Sequence, residues 1–596
     1  MCGIAGDFGF SGCPGDTAAV ARMLPCLARR GPDADGLWAS GPVALGHRRL
    51  SILDLSSRAH QPMFDPASGC ALVFNGAIYN FRELKRELEA RGHRFGSDGD
   101  TEVILRGYLE WGEAVVARLH GMFAFGLFDA RDNSLFLARD RMGIKPLYFD
   151  LRTERLRFAS STQALLAAGG VDTGIDSEAM HMAFTLHAVV PAPRTILRGV
   201  RKLDPAHVMR VDRDGHVEKR RYWTLDARRP AEHVSDEAWV ERIETRLREA
   251  VRKRFEVSDV PVGVLLSGGL DSSLLVALAA EAGARGLRTF TIGFDDQPEE
   301  KGSEFEYSDP VAERYATDHH KLRIPNETVL DRLPAAIDAM AEPMFGQDAV
   351  AFHLLAEQVS QHVKVVQSGQ GADEVFGGYF WYPRMADERE GPWAERFRRH
   401  YFDRDDAEMR DLLAVHPGRD VTGEWLGEAF REWEACRADG FIDAVLGFDA
   451  TTLIVDDPVK RVDNMTMAFG LEARVPFLDH ELVEEAARMP SHLKLADGGK
   501  TVLRRIARGR LPDVVLDRPK GYFPVPALKY VRGPFFEIMR DVLNSRAARD
   551  RGLFNRAYID RLLDAPDKHF TRIQGSKLWH LALMEAWLQH HVDRVS

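Results

Sequence analysis

Cysteine is scarce in this sequence, and its spacing carries no disulfide or metal signature. Five cysteines occur in 596 residues, and none of them stands in a C-x-x-C pair. This excludes a disulfide framework and gives no sign of a zinc site built on cysteine. Because free cysteines are typical of reducing compartments, we expect a cytoplasmic protein.

Long apolar runs and an excess of positive charge are also missing. No run approaches the ~20 apolar residues that span a bilayer. The N-terminus, MCGIAGDFGF, lacks the basic and apolar regions of a signal peptide. Acidic residues outnumber basic ones by 90 to 79, for a net charge of −11. We therefore expect neither a membrane nor a nucleic acid as a partner.

The composition is that of a globular protein, and the chain is long enough for two large domains. Hydrophobic residues make up 45% and charged residues 28%, and domains usually hold ~100–200 residues. Residues 1–210 show short apolar runs separated by turns, such as 130–133, which predicts an α+β domain of antiparallel strands. The polar stretch 211–234 is expected to be a linker. Residues 235–596 open with an amphipathic helix, for which Ser235 or Asp236 is the expected N-cap. They then alternate strand and helix before becoming mostly helical, which predicts an α/β domain with a parallel sheet.

A glycine-rich loop, S-G-G-L-D-S-S at 267–273, follows an apolar strand and opens a helix. Glycines let the backbone approach a ligand, and the free N–H groups of a helix N-terminus bind anions. A plain turn between strand and helix is the alternative. The loop resembles the pyrophosphate loop of ATP pyrophosphatases, which adenylate a substrate. The G-K-T at 499–501 is not a Walker A loop, because position 494 is Lys rather than Gly.

A second glycine-rich segment, S-G-Q-G-A-D-E at 368–374, follows another apolar run. The carboxyl ends of parallel strands meet at one ligand crevice. Asp271 and Asp373 are therefore expected to reach the same Mg²⁺, which prefers hard oxygen ligands and would be bound to ATP phosphates. Each Asp taken alone is equally consistent with a helix cap or a turn.

Cys2 stands where removal of Met1 would expose both a thiol and an α-amino group. An α-amino group titrates near ~8 and can act as the base for its own nucleophile. Downstream motifs add an arginine pair for a carboxylate, the Asn75 amide and Gly76 N–H for an oxyanion hole, and acidic residues for an ammonium group.

These motifs together resemble the glutamine-dependent asparagine synthetase family over nearly the whole chain. MCGIAG, RRGPD, GHRRLSILD, NGAIYN and RDRMGIKPLY are similar to its glutaminase domain. LLSGGLDSS, SGQGADEVFGGY, VKRVDNMTMAFGLEARVPFLDH and RPKGYFPVP are similar to its synthetase domain. The resemblance implies a four-layer αββα N-terminal-nucleophile glutaminase, followed by an adenine nucleotide α-hydrolase-like domain.

The resemblance also implies roles for individual residues. Cys2 would be the nucleophile, and Lys520 would meet phosphate in the adenylation transition state. Lys460, Arg461 and Asp463 would pack the synthetase core. Glutamine would be held by Arg49, Ser51, Ile52, Asn75, Gly76 and Asp100. ATP would be held by Leu266, Ser267, Gly268, Gly269, Asp271, Ser272, Ile292, Ser368 and Gly369.

Two departures from the family pattern bear on the substrate. Ala77 replaces a Glu that helps to bind the ammonium group of glutamine, which leaves Asp100 in that role. Gln370 replaces an acidic residue that asparagine synthetases need to form β-aspartyl-AMP. A neutral amide cannot pair with the α-ammonium of free aspartate, whereas an N-blocked peptide has no such group. The chain resembles the bacterial N-acetylglutaminylglutamine amidotransferases in these two changes and in the segment FTLHAVVPAPRTILRGVRKL. Those enzymes make an osmoprotectant.

The expected protein is therefore an ATP- and glutamine-dependent amidotransferase with an interdomain ammonia channel. Its acceptor would be N-acetylglutaminylglutamine, with aspartate as the alternative. Two further hypotheses are a non-catalytic regulatory relative and an adenylating enzyme that uses only free ammonia. The joint presence of Cys2, Arg49, Asn75, Asp100, the intact phosphate loop and Lys520 argues against the first. Intact Cys2 argues against the second, which Ala77 keeps open. A homodimer is compatible with the sequence.

Overall fold

The computed structural model describes residues 2–296, 301–518 and 531–593. The first half holds two six-stranded antiparallel sheets. Its strands are β1 (Cys2–Gly9), β2 (Ala34–Ser40), β3 (Val43–Arg49), β4 (Met63–Phe64), β5 (Ala71–Ile78), β6 (Gly121–Asp129), β7 (Ser134–Arg139), β8 (Tyr148–Leu151), β9 (Arg155–Ala159), β10 (Arg201–Lys202), β11 (His207–Val211) and β12 (Val217–Arg221). Its helices are α1 (Thr17–Met23), α2 (Phe81–Ala90), α3 (Asp100–Trp111), α4 (Val115–Arg118), α5 (Thr162–Ala168) and α6 (Ser177–Thr185).

The two sheets pack face to face through alternating apolar side chains. One has the order β10-β8-β9-β1-β3-β2 and the other β12-β11-β7-β6-β5-β4. Ile4 and Phe8 of β1 meet Val73 of β5 and Leu137 of β7 in one fully buried cluster. Helices α1 and α5 contact the first sheet, and α3 contacts β5 of the second. The predicted hairpin turn 130–133 joins β6 to β7.

The second half is built on a five-stranded parallel sheet with helices around it. Its strands are β13 (Val262–Leu265), β14 (Arg288–Phe294), β15 (Asp318–Ile324), β16 (Val365–Gln367) and β17 (Glu472–Arg474). Its helices are α7 (Asp236–Glu256), α8 (Leu270–Glu281), α9 (Phe305–Arg314), α10 (Asn326–Ala339), α11 (Asp348–Val359), α12 (Ala372–Phe376), α13 (Trp381–Asp387), α14 (Trp393–Tyr401), α15 (Asp406–Leu412), α16 (Val421–Cys436), α17 (Phe441–Phe448), α18 (Lys460–Met467), α19 (His480–Arg488), α20 (His492–Leu495), α21 (Thr501–Ala507), α22 (Asp513–Leu516), α23 (Gly533–Asn544), α24 (Arg546–Arg551), α25 (Arg556–Asp564) and α26 (Lys577–His591).

The strand order β15-β14-β13-β16-β17 confirms the predicted parallel sheet. The chain leaves the central strand β13 toward β14 and β15, and then returns to the other side as β16. This reversal opens a crevice at the carboxyl ends of β13 and β16, where ligands bind in such sheets. Ser235 caps α7 as predicted, since its hydroxyl accepts from the Ala238 N–H at 3.2 Å. No helix in the described ranges is long and apolar enough to cross a membrane.

The boundary between the halves lies later than the sequence indicated. Strand β12 pairs with β11 over the register Val211↔Val217 to His207↔Arg221, inside the second sheet of the first half. The expected linker at 211–234 therefore begins too early. The run V-E-K-R-R in β12 is exposed along its whole length. It shows no alternation of apolar and polar residues, which is the pattern that predicts a strand, so the sequence did not indicate one here.

Candidate active site

Cys2 lies at the start of β1, directly opposite Arg49 on β3. Its side chain is largely buried, with 8% of the residue exposed. The Cys2 N–H donates to Asn75 Oδ1 at 3.0 Å. The other end of that amide, Nδ2, is buried without a partner among the described residues. Asn75 is thus held beside the nucleophile with a hydrogen-bond donor to spare.

A small cavity of about 40 Å³ opens at Cys2. Its wall includes the predicted glutamine-site residues Cys2, Arg49, Ile52, Gly76 and Asp100, together with Ala77. A Cβ on Gly76 would lie 2.1 Å from the Met122 carbonyl oxygen, so this close approach of two strands requires glycine. Ser51 does not line the cavity, and its N–H donates to Asp33 Oδ2 at 2.7 Å. The predicted contribution of Ser51 is therefore not seen in this arrangement.

The charged groups of this cavity are fixed by the backbone. Arg49 donates to the carbonyl oxygens of Ser56, at 2.9 Å, and Asp54. Asp100 accepts from the Ile78 N–H at 2.9 Å, yet its burial raises the pKa of the carboxyl to about 6. Burial also raises the pKa of the Cys2 thiol. The resting thiol is therefore protonated at neutral pH and needs a base to become a nucleophile.

Two residues from the second half complete the wall of this cavity. Sequence analysis did not predict that they would lie at this site. Glu472 and Arg474 lie on β17, and the Arg474 Nε donates to Glu472 Oε1 at 2.5 Å. Burial raises the pKa of Glu472, but the charge of Arg474, together with other positive charges nearby such as Lys145, outweighs it and lowers the pKa to about 2. Both stand in the motif GLEARVPFLDH, which the sequence associated with the synthetase domain alone.

A larger cavity of about 290 Å³ lies at the carboxyl ends of β13 and β16. Nearly all of the predicted ATP residues line it: Leu266, Ser267, Gly269, Asp271, Ser272, Ile292, Ser368 and Gly369. The residues Gln370 and Asp373 line it as well. Gly268 does not. Its φ is +72°, and a Cβ there would lie 2.7 Å from the Ser308 backbone nitrogen, so this glycine is needed for loop packing.

The S-G-G loop leads into the N-terminus of α8, as the sequence predicted. The loop is held by its own hydroxyls: Ser267 Oγ lies 3.1 Å from Ser272 Oγ, which also accepts from the Ser267 N–H at 3.2 Å. No side chain caps the helix, whose first residue is Leu270. Its N–H groups therefore remain available for an anion such as a phosphate.

Lys500 joins the two acidic residues that were predicted to bind magnesium. Its ammonium lies 2.5 Å from Asp271 Oδ2 and 2.9 Å from Asp373 Oδ1. Burial lowers the pKa of Lys500, but the two carboxylates outweigh it and raise the pKa. The sequence had set the G-K-T aside because it lacks the Walker A pattern. Lys520, the predicted phosphate ligand, lies outside the described residues.

Arg461 lines the same cavity, which corrects its assignment to core packing alone. Its guanidinium pairs with Asp348 Oδ2 at 2.9 Å and with Asp457 Oδ1 at 2.6 Å. Nearby, the Tyr379 hydroxyl donates to Glu374 Oε1 at 2.7 Å. Burial, together with the charge of Asp373, raises the pKa of Glu374 to about 7.

The two cavities are connected through neighbouring strands and through buried ion pairs. The Ser368 N–H on the nucleotide side donates to the carbonyl oxygen of Arg474, on the wall of the Cys2 cavity, at 2.9 Å. Asp463 forms an ion pair with Arg30 at 2.9 Å and accepts a hydrogen bond from Lys145 at 3.0 Å, and both cations lie in the first half. Arg30 in turn donates to the Cys2 carbonyl oxygen at 3.3 Å. Asp463 therefore joins the two halves beside the nucleophile.

A cysteine at position 2 beside an amide donor, linked to a second cavity at the carboxyl ends of parallel strands, is the arrangement expected of an amidotransferase coupled to a synthetase. Comparison with known proteins agrees. The Asparagine synthase family profile matches residues 242–589, and the Glutamine amidotransferase domain profile matches residues 1–223.

Curated relatives match almost the entire chain. Asparagine synthetase [glutamine-hydrolyzing] 3 of Bacillus subtilis (strain 168) is 30% identical over 99% of this chain and 98% of its own. A putative asparagine synthetase of Mycobacterium bovis is 34% identical over 98% and 97%. Asparagine synthetase B of Escherichia coli (strain K12) is 28% identical over 88% and 82%. The chain belongs to the glutamine-hydrolysing asparagine synthetase family and is a glutamine-dependent ligase.

Proposed function

We propose that this protein amidates a carboxylate through an acyl-adenylate, with N-acetylglutaminylglutamine as the acceptor. The observation that carries the choice of acceptor is the neutral Gln370 on the wall of the nucleotide cavity. All three curated relatives described above are named as asparagine synthetases, which makes aspartate the second candidate.

The glutaminase step would use the cavity at Cys2. The thiol passes its proton to the α-amino group of Cys2, freed from Met1, and the sulfur attacks the side-chain amide carbon of glutamine. Asn75 Nδ2 and the Gly76 N–H stabilise the oxyanion. Arg49 binds the α-carboxylate and Asp100 the α-ammonium. Ammonia leaves with the transferred proton, and water hydrolyses the thioester to glutamate.

The synthetase step would use the larger cavity. An acceptor carboxylate oxygen attacks the α-phosphorus of ATP, and pyrophosphate leaves. The N-terminus of α8 and the Lys500 ammonium offset the phosphate charge. Asp271 and Asp373 converge on this wall and offer the hard oxygen donors that suit Mg²⁺, so they would hold that ion, which neutralises phosphate charge when bound. Ammonia then attacks the acyl carbon, the nitrogen loses one proton, and AMP leaves.

Ammonia would pass between the cavities along β16 and β17. The hydrogen bond from Ser368 to Arg474 supports a short path, because each residue lines one of the two cavities. The ion pairs of Asp463 with Arg30 and Lys145 support a fixed docking of the two halves beside Cys2.

The charge pattern of the nucleotide cavity supports an acceptor without a free ammonium group. Its wall carries four described carboxylates, and each already has a cationic partner: Asp271 and Asp373 with Lys500, Asp348 with Arg461, and Glu304 with Arg518. A free aspartate would bring an α-ammonium that must displace one of these partners. An acetylated dipeptide brings an amide instead, which Gln370 can bind by neutral hydrogen bonds.

The test is the ratio of kcat/KM for the acetylated dipeptide to that for aspartate, measured as amide product by mass spectrometry. We expect the unmodified protein to favour the dipeptide. Gln370→Glu should lower this ratio by about ten- to more than a hundredfold, since a charge-assisted hydrogen bond contributes roughly 1.5–3 kcal/mol. Gln370→Met is the matched control, because it keeps the size and adds no charge. Efficient turnover of aspartate by the unmodified protein would assign it to asparagine synthesis instead.

The two-cavity mechanism has its own test in Cys2→Ala. This change removes the nucleophile, so glutamine-driven synthesis should disappear, whereas synthesis from added ammonium should stay near the level of the unmodified protein. Cys436→Ala, which removes an exposed cysteine, should change neither activity. Loss of the ammonium-driven reaction in a folded Cys2→Ala protein would contradict a separate synthetase site.

A further inference from the structure

Three side chains from distant parts of the chain, two of them fully buried, converge outside both cavities. His187 follows α6, Asp403 precedes α15, and His580 lies on α26. Their ligand atoms all lie within 4.8 Å of one another. His187 Nδ1 is 3.1 Å from Asp403 Oδ2, and His580 Nδ1 is 3.9 Å from the same oxygen. The side chains of Asp403 and His580 have no exposed surface.

The polar atoms of this cluster are incompletely partnered. Asp403 Oδ1 and both ring nitrogens of His580 are buried without a hydrogen bond to any described residue. Buried polar groups are nearly always paired with protein, water or an ion, so these atoms indicate missing partners, and one ion could serve Asp403 together with one of the His580 nitrogens. The His580 ring instead stacks on Phe345, with centroids 4.6 Å apart.

We propose that His187, Asp403 and His580 bind a divalent transition-metal ion of the Zn²⁺ type. Imidazole nitrogens and a carboxylate oxygen are the ligands this ion takes, at about 2.0–2.2 Å. Tetrahedral ligands at that radius stand about 3.3–3.5 Å apart. The two measured separations, 3.1 and 3.9 Å, bracket this value.

The charges around this cluster are compatible with a bound cation. Two cations lie near His580, and each is bound elsewhere: Arg404 donates to the Phe184 carbonyl at 3.1 Å, and Lys577 donates to Glu408 at 2.5 Å. On the other side, Asp348 and Asp457 act on His187 with negative charge. The site therefore lies between opposite charges rather than within a basic cluster.

The backbone at His187 adopts a conformation that is unfavourable in free energy. His187 has φ +54° and Ala188 has φ +69°, a left-handed turn that is unfavourable for residues other than glycine. The Asp403 N–H donates to the Thr185 carbonyl at 2.9 Å, which keeps the carboxylate beside this turn. An ion here would fasten the loop after α6, in the last part of the glutaminase half, to the C-terminal helix.

A second His–Asp–His cluster provides an internal contrast. His181 Nδ1 lies 2.7 Å from Thr422 Oγ1, and its Nε2 lies 3.2 Å from Asp406 Oδ1. His416 Nδ1 accepts from the Gly418 N–H at 3.0 Å. Both His181 nitrogens thus have partners, and His416 keeps only Nε2, which lies 3.1 Å from Asp406 Oδ1 without a hydrogen-bond partner among the described residues, so this cluster offers one open histidine nitrogen. We expect no metal at this second cluster.

The test is the zinc content of the untagged full-length protein after gel filtration, measured by inductively coupled plasma mass spectrometry. The unmodified protein and the control His416→Ala should each retain one zinc per chain. His580→Ala and Asp403→Asn should lose that equivalent. After chelator treatment, added ZnCl₂ should raise the Tm of the unmodified protein and leave that of Asp403→Asn unchanged.

Two results would overturn the proposal. One is an unmodified protein that retains no zinc and gains no Tm from ZnCl₂. The other is equal zinc in the unmodified protein and in Asp403→Asn, which would place the ion elsewhere. Asp403→Asn keeps the volume of the side chain, so it provides the comparison if His580→Ala does not fold.

Discussion

Burial changes the pKa of Asp100, the side chain that is predicted to bind the ammonium group of glutamine. The carboxyl lies in the wall of the Cys2 cavity, and burial raises its pKa to about 6 while the Ile78 N–H supports its charged form. Because Ala77 stands where the family usually has a Glu, Asp100 would bind the glutamine ammonium without that help. Its protonation should therefore control the affinity for glutamine.

We predict that the KM for glutamine rises as the pH falls below about 6, by about tenfold per unit, because a protonated Asp100 no longer attracts an ammonium group. Above that pH the carboxyl is ionised and KM should be flat. Asp100→Asn should raise KM at every pH and remove the break near pH 6. Glutaminase assays from pH 5 to 8 check this, with the KM for the acceptor in the ammonium-driven reaction as a control. A pH-independent KM in the unmodified protein would contradict it.

The loop between β13 and α8 depends on two glycines with different roles. Gly268 has φ +72°, and a Cβ there would meet the backbone of Ser308 at 2.7 Å. Gly269 has φ −78°, and a Cβ there would lie 3.4 Å from Ser267 Oγ, an ordinary contact. The same substitution should thus have different consequences at adjacent positions.

We predict that Gly268→Ala lowers the unfolding free energy by at least about 1–2 kcal/mol, from the left-handed backbone alone, and that it abolishes ATP-dependent pyrophosphate release. Gly269→Ala should leave the Tm within about a degree, since a contact of this kind costs little. Thermal unfolding and pyrophosphate assays distinguish the two variants. Equal Tm values for both would show that the loop tolerates a side chain at 268.

At the scale of the whole molecule, Asp463 joins the two halves beside Cys2 through buried ion pairs. This carboxylate is buried, with its side chain 2% exposed, and pairs with Arg30 and Lys145 from the first half. Burial raises its pKa, but the two cations outweigh it and lower the pKa. Removing its charge would leave two cations buried near Cys2 without a counter-charge.

We predict that Asp463→Asn destabilises the docked arrangement by about 3–5 kcal/mol, the usual result of breaking a buried pair. The ratio of glutamine hydrolysed to amide formed should then rise, because ammonia would escape between the halves. Asp550→Asn is the matched control: its pair with Arg546 is 69% and 94% exposed and should contribute almost nothing. An unchanged ratio and Tm in Asp463→Asn would show that the docking rests on other contacts.

The sequence by itself determined the features that local chemistry controls. Turn residues located the hairpin at 130–133, a serine cap located the start of α7, and the S-G-G loop located a helix N-terminus beside a strand end. The family resemblance located Cys2, Arg49, Asn75, Gly76 and Asp100, which the fold brings to one place. The four-layer order of the first half remains a prediction that the helix contacts support.

Tertiary structure decided what no local pattern encodes. Lys500 meets Asp271 across 229 positions of sequence, and Lys145 meets Asp463 across 318. Such pairs depend on how the parallel sheet and its helices close around the crevice, not on the residues next to them. The same holds for Glu472 and Arg474 in the Cys2 cavity and for the cluster of His187, Asp403 and His580. Sequence motifs gave the chemistry of each half, and only packing fixed which charges face one another, because electrostatic partners are chosen by distance in space.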